Sequence, residues 1–126
     1  MTAKVVIKKE LLDVILEGAQ RLYPKEYILL LRGKMSREAV TISDVLIPPL
    51  ATYGKGFSGF PTHMLPMDFS IIGVAHSHPS GSLEPSVQDQ NLSMGRIMLI
   101  VAFPYRGKEN VAVYSRKEGR LSLEVT

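Results

Sequence analysis

Three short apolar runs constrain this chain more than any other feature: Tyr27-Ile28-Leu29-Leu30-Leu31, Phe69 to Ala75, and Ile97 to Phe103. The first and last are continuous, without the alternation of polar residues that marks a half-exposed strand, so they read as strands covered on both faces. The first run ends at Gly33, and the second runs into His76-Ser77-His78-Pro79. Something must cover these strands. From Lys9 to Tyr23, Leu11, Leu12, Ile15, Leu16, Ala19 and Leu22 recur at helical spacing, which predicts an amphipathic helix with one buried face, stopped by Pro24. A second helix is predicted from Pro85 to about Met94, because proline suits the first helical position. Further strands are expected over Ala39–Ile47, after the turn-prone Lys34–Glu38, and in a hairpin of Val111–Ser115 with Leu121–Val125 around Lys117-Glu118-Gly119-Arg120. The pattern predicts an α/β or α+β fold, a mixed sheet flanked by helices, in a single domain spanning residues 1–126.

Composition narrows the chemistry. The chain has no cysteine, so disulfides, thiolate metal sites and cysteine nucleophiles are excluded together, and any metal must be held by histidine and carboxylate. Fifteen basic residues stand against twelve acidic ones. They are scattered, with no stripe of Lys and Arg interleaved with aromatics, so no nucleic-acid partner is expected. A mildly basic surface would steer an acidic protein partner or simply aid solubility. No apolar run approaches the roughly 20 residues needed to span a bilayer, and Met1–Lys9 has no apolar signal-peptide core. No membrane association is expected, and a cytoplasmic location is the default.

The chemistry-bearing segment is His76-Ser77-His78-Pro79, followed by Ser86 and Asp89. Residues two apart on a strand share a face, so His76 and His78 project together, their Cα atoms roughly 6.5 Å apart. Two imidazoles at that spacing can converge on one zinc ion. In the predicted helix Ser86 and Asp89 lie three apart on one face, and the loop before them can fold back over the strand end. His76, His78 and Asp89 make three protein ligands and leave a fourth position for water, the pattern of a catalytic rather than a structural zinc. A peptidase also needs a group to take the proton from that water and pass it to the leaving amine. Glu26, between the helix stop at Pro24 and the apolar strand, is the candidate, with desolvation expected to raise its carboxyl toward a useful range. The Ser86 hydroxyl could donate to the oxyanion formed on the scissile carbonyl.

Each residue alone has a plainer explanation. His-x-His on a strand is often incidental, Glu26 could be a solvated strand-end charge, Asp89 could favour the helix dipole, and Ser86 could cap the helix. His63 has no motif partner and reads as a surface residue. The segment from Pro48 to Pro66, rich in proline and glycine, is long for a loop in a compact domain and reads as functional or disordered. Its aromatics Tyr53, Phe57 and Phe60 are candidates for substrate contact. Packing into the core or a homodimer contact is their competing use.

Taken together, His76-x-His78-Pro79, with seven residues between His78 and Ser86 and then two residues before Asp89, resemble the JAMM (MPN+) signature. Glu26 in Tyr23-Pro24-Lys25-Glu26 stands at the place of the upstream glutamate in that signature. The resemblance implies a cytidine-deaminase-like α/β fold and a zinc isopeptidase that removes ubiquitin-like modifiers, ending in Gly-Gly, from lysines or linear fusions. It assigns one zinc per chain to His76, His78 and Asp89, the general base to Glu26 and oxyanion stabilisation to Ser86. It matches Pro48–Pro66 to an insertion that holds the modifier's tail. Where many relatives carry Cys-Gly after the glutamate, this chain has Tyr27-Ile28-Leu29, a change in packing rather than chemistry. Only 37 residues follow Asp89, which leaves no room expected for the second insertion of chain-specific deubiquitinases and makes the chain similar to stand-alone prokaryotic members. Two other readings stay open: processing of a sulfur-carrier precursor, and a metal-binding MPN scaffold that needs a partner.

Overall fold

The structure, a computed structural model, describes residues 4–47, 70–86 and 96–126, together with the backbone of two short strands at Thr52–Lys55 and Phe57–Gly59. In chain order the elements are β1 (Lys4–Ile7), α1 (Lys9–Leu22), β2 (Lys25–Glu26), β3 (Ile28–Met35), β4 (Ala39–Leu46), β5 (Thr52–Lys55), β6 (Phe57–Gly59), β7 (Ile71–His78), β8 (Ile97–Ala102), β9 (Val111–Ser115), β10 (Gly119–Leu121) and β11 (Leu123–Val125). A mixed eight-stranded sheet runs in the order β10-β9-β8-β7-β3-β4-β1-β11, and β2-β5-β6 form a small second sheet.

The apolar runs occupy the middle of the large sheet, as their lack of polar alternation requires. On β3, Leu29 and Leu31 face α1, whereas Ile28 and Leu30 face the opposite side, so two separate apolar clusters form on the two faces. The α1 face holds the larger one. Leu12, Ile15, Leu16 and Ala19, the stripe read from the helix sequence, are all buried in it against residues of β1, β3, β4, β7, β8 and β9.

The two edge strands of the sheet, β10 and β11, are joined through the single residue Ser122. The sheet must therefore curl around α1 until its edges nearly meet, and the Val5 amide of β1 donates at 2.9 Å to the carbonyl of Ser122, the residue that joins the two edges. This corrects the expected hairpin. The hairpin partner of Val111–Ser115 is Gly119–Leu121 alone, while Leu123–Val125 leaves to run parallel to β1. Once the sheet has curled, the chain can satisfy its remaining backbone groups on the far edge without a longer connection.

Other boundaries shift too. β3 continues past Gly33 to Met35 through a bulge between Arg32 and Gly33. β1 was not anticipated, and two strands lie within the stretch read as loop. Pro85 and Ser86 carry no helix, and the rest of the predicted Pro85–Met94 helix lies outside the described residues. Between β7 and β8, Gly73 allows an unusually close approach: a Cβ there would lie 2.0 Å from the Ile97 carbonyl oxygen.

Candidate metal centre

The candidate centre is built at one end of the sheet, where β7 finishes and β3 begins. His76 sits between Ile28 of β3 and Ile100 of β8, and His78 lies beside Ala102. Strand alternation puts both imidazoles on the face away from α1, the face of Ile28, Val74 and Ile100. Both are buried, at 1% and 6% exposure, and with Ser77 they are the buried polar side chains among the described residues. Removing two imidazoles from water without a function is costly.

The surroundings fix the tautomer of His78. Its Nδ1 lies 2.9 Å from the Ser82 carbonyl oxygen, and a carbonyl only accepts, so Nδ1 carries a proton, which in the neutral ring leaves the lone pair on Nε2. This is the orienting contact that metal-binding histidines commonly use. The loop that supplies the carbonyl is itself held. The Gly81 and Phe103 amides both donate to the His78 carbonyl, at 3.1 and 3.0 Å. The Tyr114 hydroxyl donates to the Leu83 carbonyl at 2.7 Å, and the Ser82 hydroxyl accepts from the Glu84 amide. Gly81 adopts φ +86, the left-handed region that this tight return requires. Ser82 and Tyr114 carry no motif signal, and nothing in the sequence pointed to them.

Ser77 points to the other face and does a different job. Its hydroxyl accepts from the Tyr27 amide at 2.9 Å, and its own amide donates to the Tyr27 carbonyl at 3.1 Å. Tyr27 is the residue between β2 and β3, where the chain leaves the small sheet for the large one, and the side chain of Ser77 supplies an acceptor for its amide there. Glu26 is thereby held next to β7: it is half-buried, paired with Gly54 of β5, and on the Ile28 side of the chain if alternation is continued through Tyr27. The fully buried Tyr105 lies close to Ser77, although its hydroxyl makes no hydrogen bond among the described residues. Burial pushes this phenol up to about 12; the Ser77 hydroxyl opposes the shift, while Tyr23 and the Glu26 carboxylate add to it.

The structure thus brings His76, His78 and the Glu26 strand to one end of the sheet. Ser86 is exposed at the end of the loop that leaves the histidines. Asp89, Phe60 and His63 lie outside the described residues, as do the side chains of Tyr53 and Phe57, whose backbones lie in β5 and β6. Among the described residues no three His, Asp or Glu side chains gather as a complete metal-binding group. The donors present fit zinc: imidazole nitrogens, one of fixed tautomer, in a chain without thiolates.

Comparison with known proteins is decisive about kinship. Residues 8–117 match the family described as prokaryotic homologs of the JAB domain. The chain belongs to this JAB family. A Haloferax volcanii protein described as "Probable metalloprotease" is 34% identical over 108 residues, covering 80% of this chain and 67% of that protein. A JAB1/MPN domain protein from Archaeoglobus fulgidus is 31% identical with a TM-score of 0.67 over 98% of each chain. The structure described as "JAMM: A Metalloprotease-like Zinc Site in the Proteasome and Signalosome" is 29% identical with a TM-score of 0.65, covering all of this chain and 99% of that one. The mixed sheet with its helix is the α/β fold of these JAB1/MPN structures. No helix among the described residues of this JAB protein is long and apolar enough to cross a membrane.

Proposed function

We infer that this JAB protein is a zinc-dependent isopeptidase that hydrolyses the amide bond after the Gly-Gly tail of a ubiquitin-like protein. The observation that carries the reading is the pair of buried imidazoles on one face of β7, His78 held in the metal-binding tautomer, beside the strand that carries Glu26. The kinship with a probable metalloprotease and with a JAMM zinc-site structure supports it.

In this reading His76, His78 and Asp89 hold one zinc. A bound zinc supplies Lewis acidity and lowers the pKa of water to about 7. Glu26 accepts the proton of the attacking water and delivers it to the leaving amine, and the half-buried position of its strand limits competing solvent. The Ser86 hydroxyl donates to the developing oxyanion. Substrate recognition falls to the strand pair β5–β6, which extends the sheet begun at Glu26 and carries Tyr53 and Phe57, with Phe60 just beyond. A tail of two glycines suits such a site, because only glycine lets two backbones approach closely. The test is a linear fusion and a lysine conjugate of a ubiquitin-like protein incubated with the purified protein, with and without chelator. Cleavage after Gly-Gly that chelator stops and zinc restores is expected. Cleavage that chelator does not touch would overturn the zinc assignment, and no cleavage of either substrate would overturn the isopeptidase reading.

A further inference from the structure

At the end of the sheet opposite His76 and His78, the curl opens into a cleft of about 350 Å³. It lies where the starts of β4 and β8 come round to the β9–β10 turn. Val40, Ile97 and Leu121, all buried at their cores, form its apolar lining. Its rim carries Arg37, Arg96, Arg116 and Lys117 against the one carboxylate of Glu118. Over the whole chain basic residues exceed acidic ones by 15 to 12, so four to one around a single cavity is a concentration and not an average.

The rim is also preorganised. The Ser36 hydroxyl accepts from the Ala39 amide at 3.2 Å while the Ser36 amide donates to the Ala39 carbonyl at 2.8 Å, which fixes the turn carrying Arg37. The Ser115 hydroxyl accepts from the amides of both Lys117 and Glu118, at 3.2 and 2.9 Å, which fixes the second turn. The Arg96 amide is tied to the Ile72 carbonyl at 2.7 Å. Two closed turns thus hold cations around a concave floor, although like charges drawn together repel one another.

We propose that this cleft binds a small organic polyphosphate. Three guanidinium groups supply planar forks that match phosphate oxygens two at a time, and the ammonium adds a point charge. Counted without Arg116, three positive charges and one negative leave an excess of two, which a di- or triphosphate neutralises and a single carboxylate does not. The volume falls in the range of about 300–1,000 Å³ usual for small-molecule sites, and the apolar lining accepts the organic part of the ligand. The site stands at the far end of β7 from the histidines and involves none of the residues assigned to peptide hydrolysis.

Binding is measured by calorimetry at about 0.15 M salt with three probes: inorganic tripolyphosphate, a nucleoside triphosphate, and a polyglutamate peptide. The protein used is His78→Ala, so that a phosphate chain cannot report on zinc and the outcome does not depend on the peptidase reading. Saturable binding of both phosphates is expected, tighter for the nucleotide. Each of Arg37→Gln and Arg96→Gln should weaken it about tenfold or more, whereas Lys8→Gln, an exposed cation remote from the cleft, should leave it unchanged. Absence of saturable phosphate binding overturns the proposal, as does binding that the two arginine substitutions leave intact. Tighter binding of polyglutamate than of either phosphate overturns it in favour of an acidic protein partner.

Discussion

Replacing Ser77 with alanine tests how the site is held together. The Ser77 hydroxyl is fully buried and accepts the Tyr27 amide at 2.9 Å. That amide sits at the break between β2 and β3, and truncation takes the Ser77 acceptor away from a buried donor. That costs about 1–3 kcal/mol, a large part of the roughly 5–15 kcal/mol that holds an ordinary domain together. Urea unfolding of Ser77→Ala should show a lower midpoint at unchanged slope, and the Tyr27 amide should lose its protection from hydrogen exchange. Ser77→Thr restores the acceptor but adds a methyl group to a fully packed position, which can itself cost about 1–3 kcal/mol. The informative measurement for threonine is therefore Tyr27 amide protection, which should return, rather than total stability. If Ser77→Ala stays within about 0.5 kcal/mol of the parent with the Tyr27 amide still protected, the clamp does not exist and Glu26 is positioned by something else.

Glu26→Gln should keep zinc content while turnover on a ubiquitin-like fusion falls by about 10²–10⁴, checked by elemental analysis beside a gel assay. His78→Ala and Asp89→Ala should lose metal and turnover together, and circular dichroism should show the fold retained, since the apolar core around α1 does not depend on the metal. The Tyr105 phenol is raised to about 12 from an ordinary value near 10. Above pH 10 the unfolded chain gives up this proton while the folded one keeps it, so folding stability is whole below pH 10 and declines as pH rises toward 12. Tyr105→Phe should flatten that decline in thermal scans taken across the interval, and an unchanged slope would mean that Tyr105 is not the group responsible.

What the sequence made legible follows from the range of the interactions involved. The α1 stripe and the strands at Ile28, Ile71 and Ile97 are signalled by contiguous side chains, because burial on one or both faces is a local pattern. The same holds for the histidines: two residues apart on a strand means one face wherever that strand lies. The path of Leu121–Val125 is of another kind. Its alternation suits a hairpin, and only the closing of the sheet around α1, a property of all its strands at once, makes the far edge beside β1 available. No window of sequence contains that information. β5 and β6 were obscured for a different reason: glycines and prolines lower strand propensity, yet Gly54 can pair with Glu26 because an edge ladder needs backbone groups and not side chains.

The contacts that tune the centre divide along the same line. His76 and His78 announce themselves by residue type, since imidazoles are scarce and chemically specific. The groups that orient them are backbone carbonyls and common hydroxyls: the Ser82 carbonyl on His78 Nδ1, the Tyr114 hydroxyl on the Leu83 carbonyl, the Ser77 hydroxyl on the Tyr27 amide. A carbonyl exists at every residue, so its selection depends on geometry alone. Tyr114 lies 31 residues from Leu83 and Ser77 lies 50 from Tyr27, separations that the β3–β7–β8–β9 order and the loop after β7 close up. A substitution at Tyr114 would therefore reach the centre through the loop that holds His78, although Tyr114 is not itself part of the motif. The candidate ligands of such a site are visible in a sequence as residue types, but the parts that would make them rigid belong to the fold.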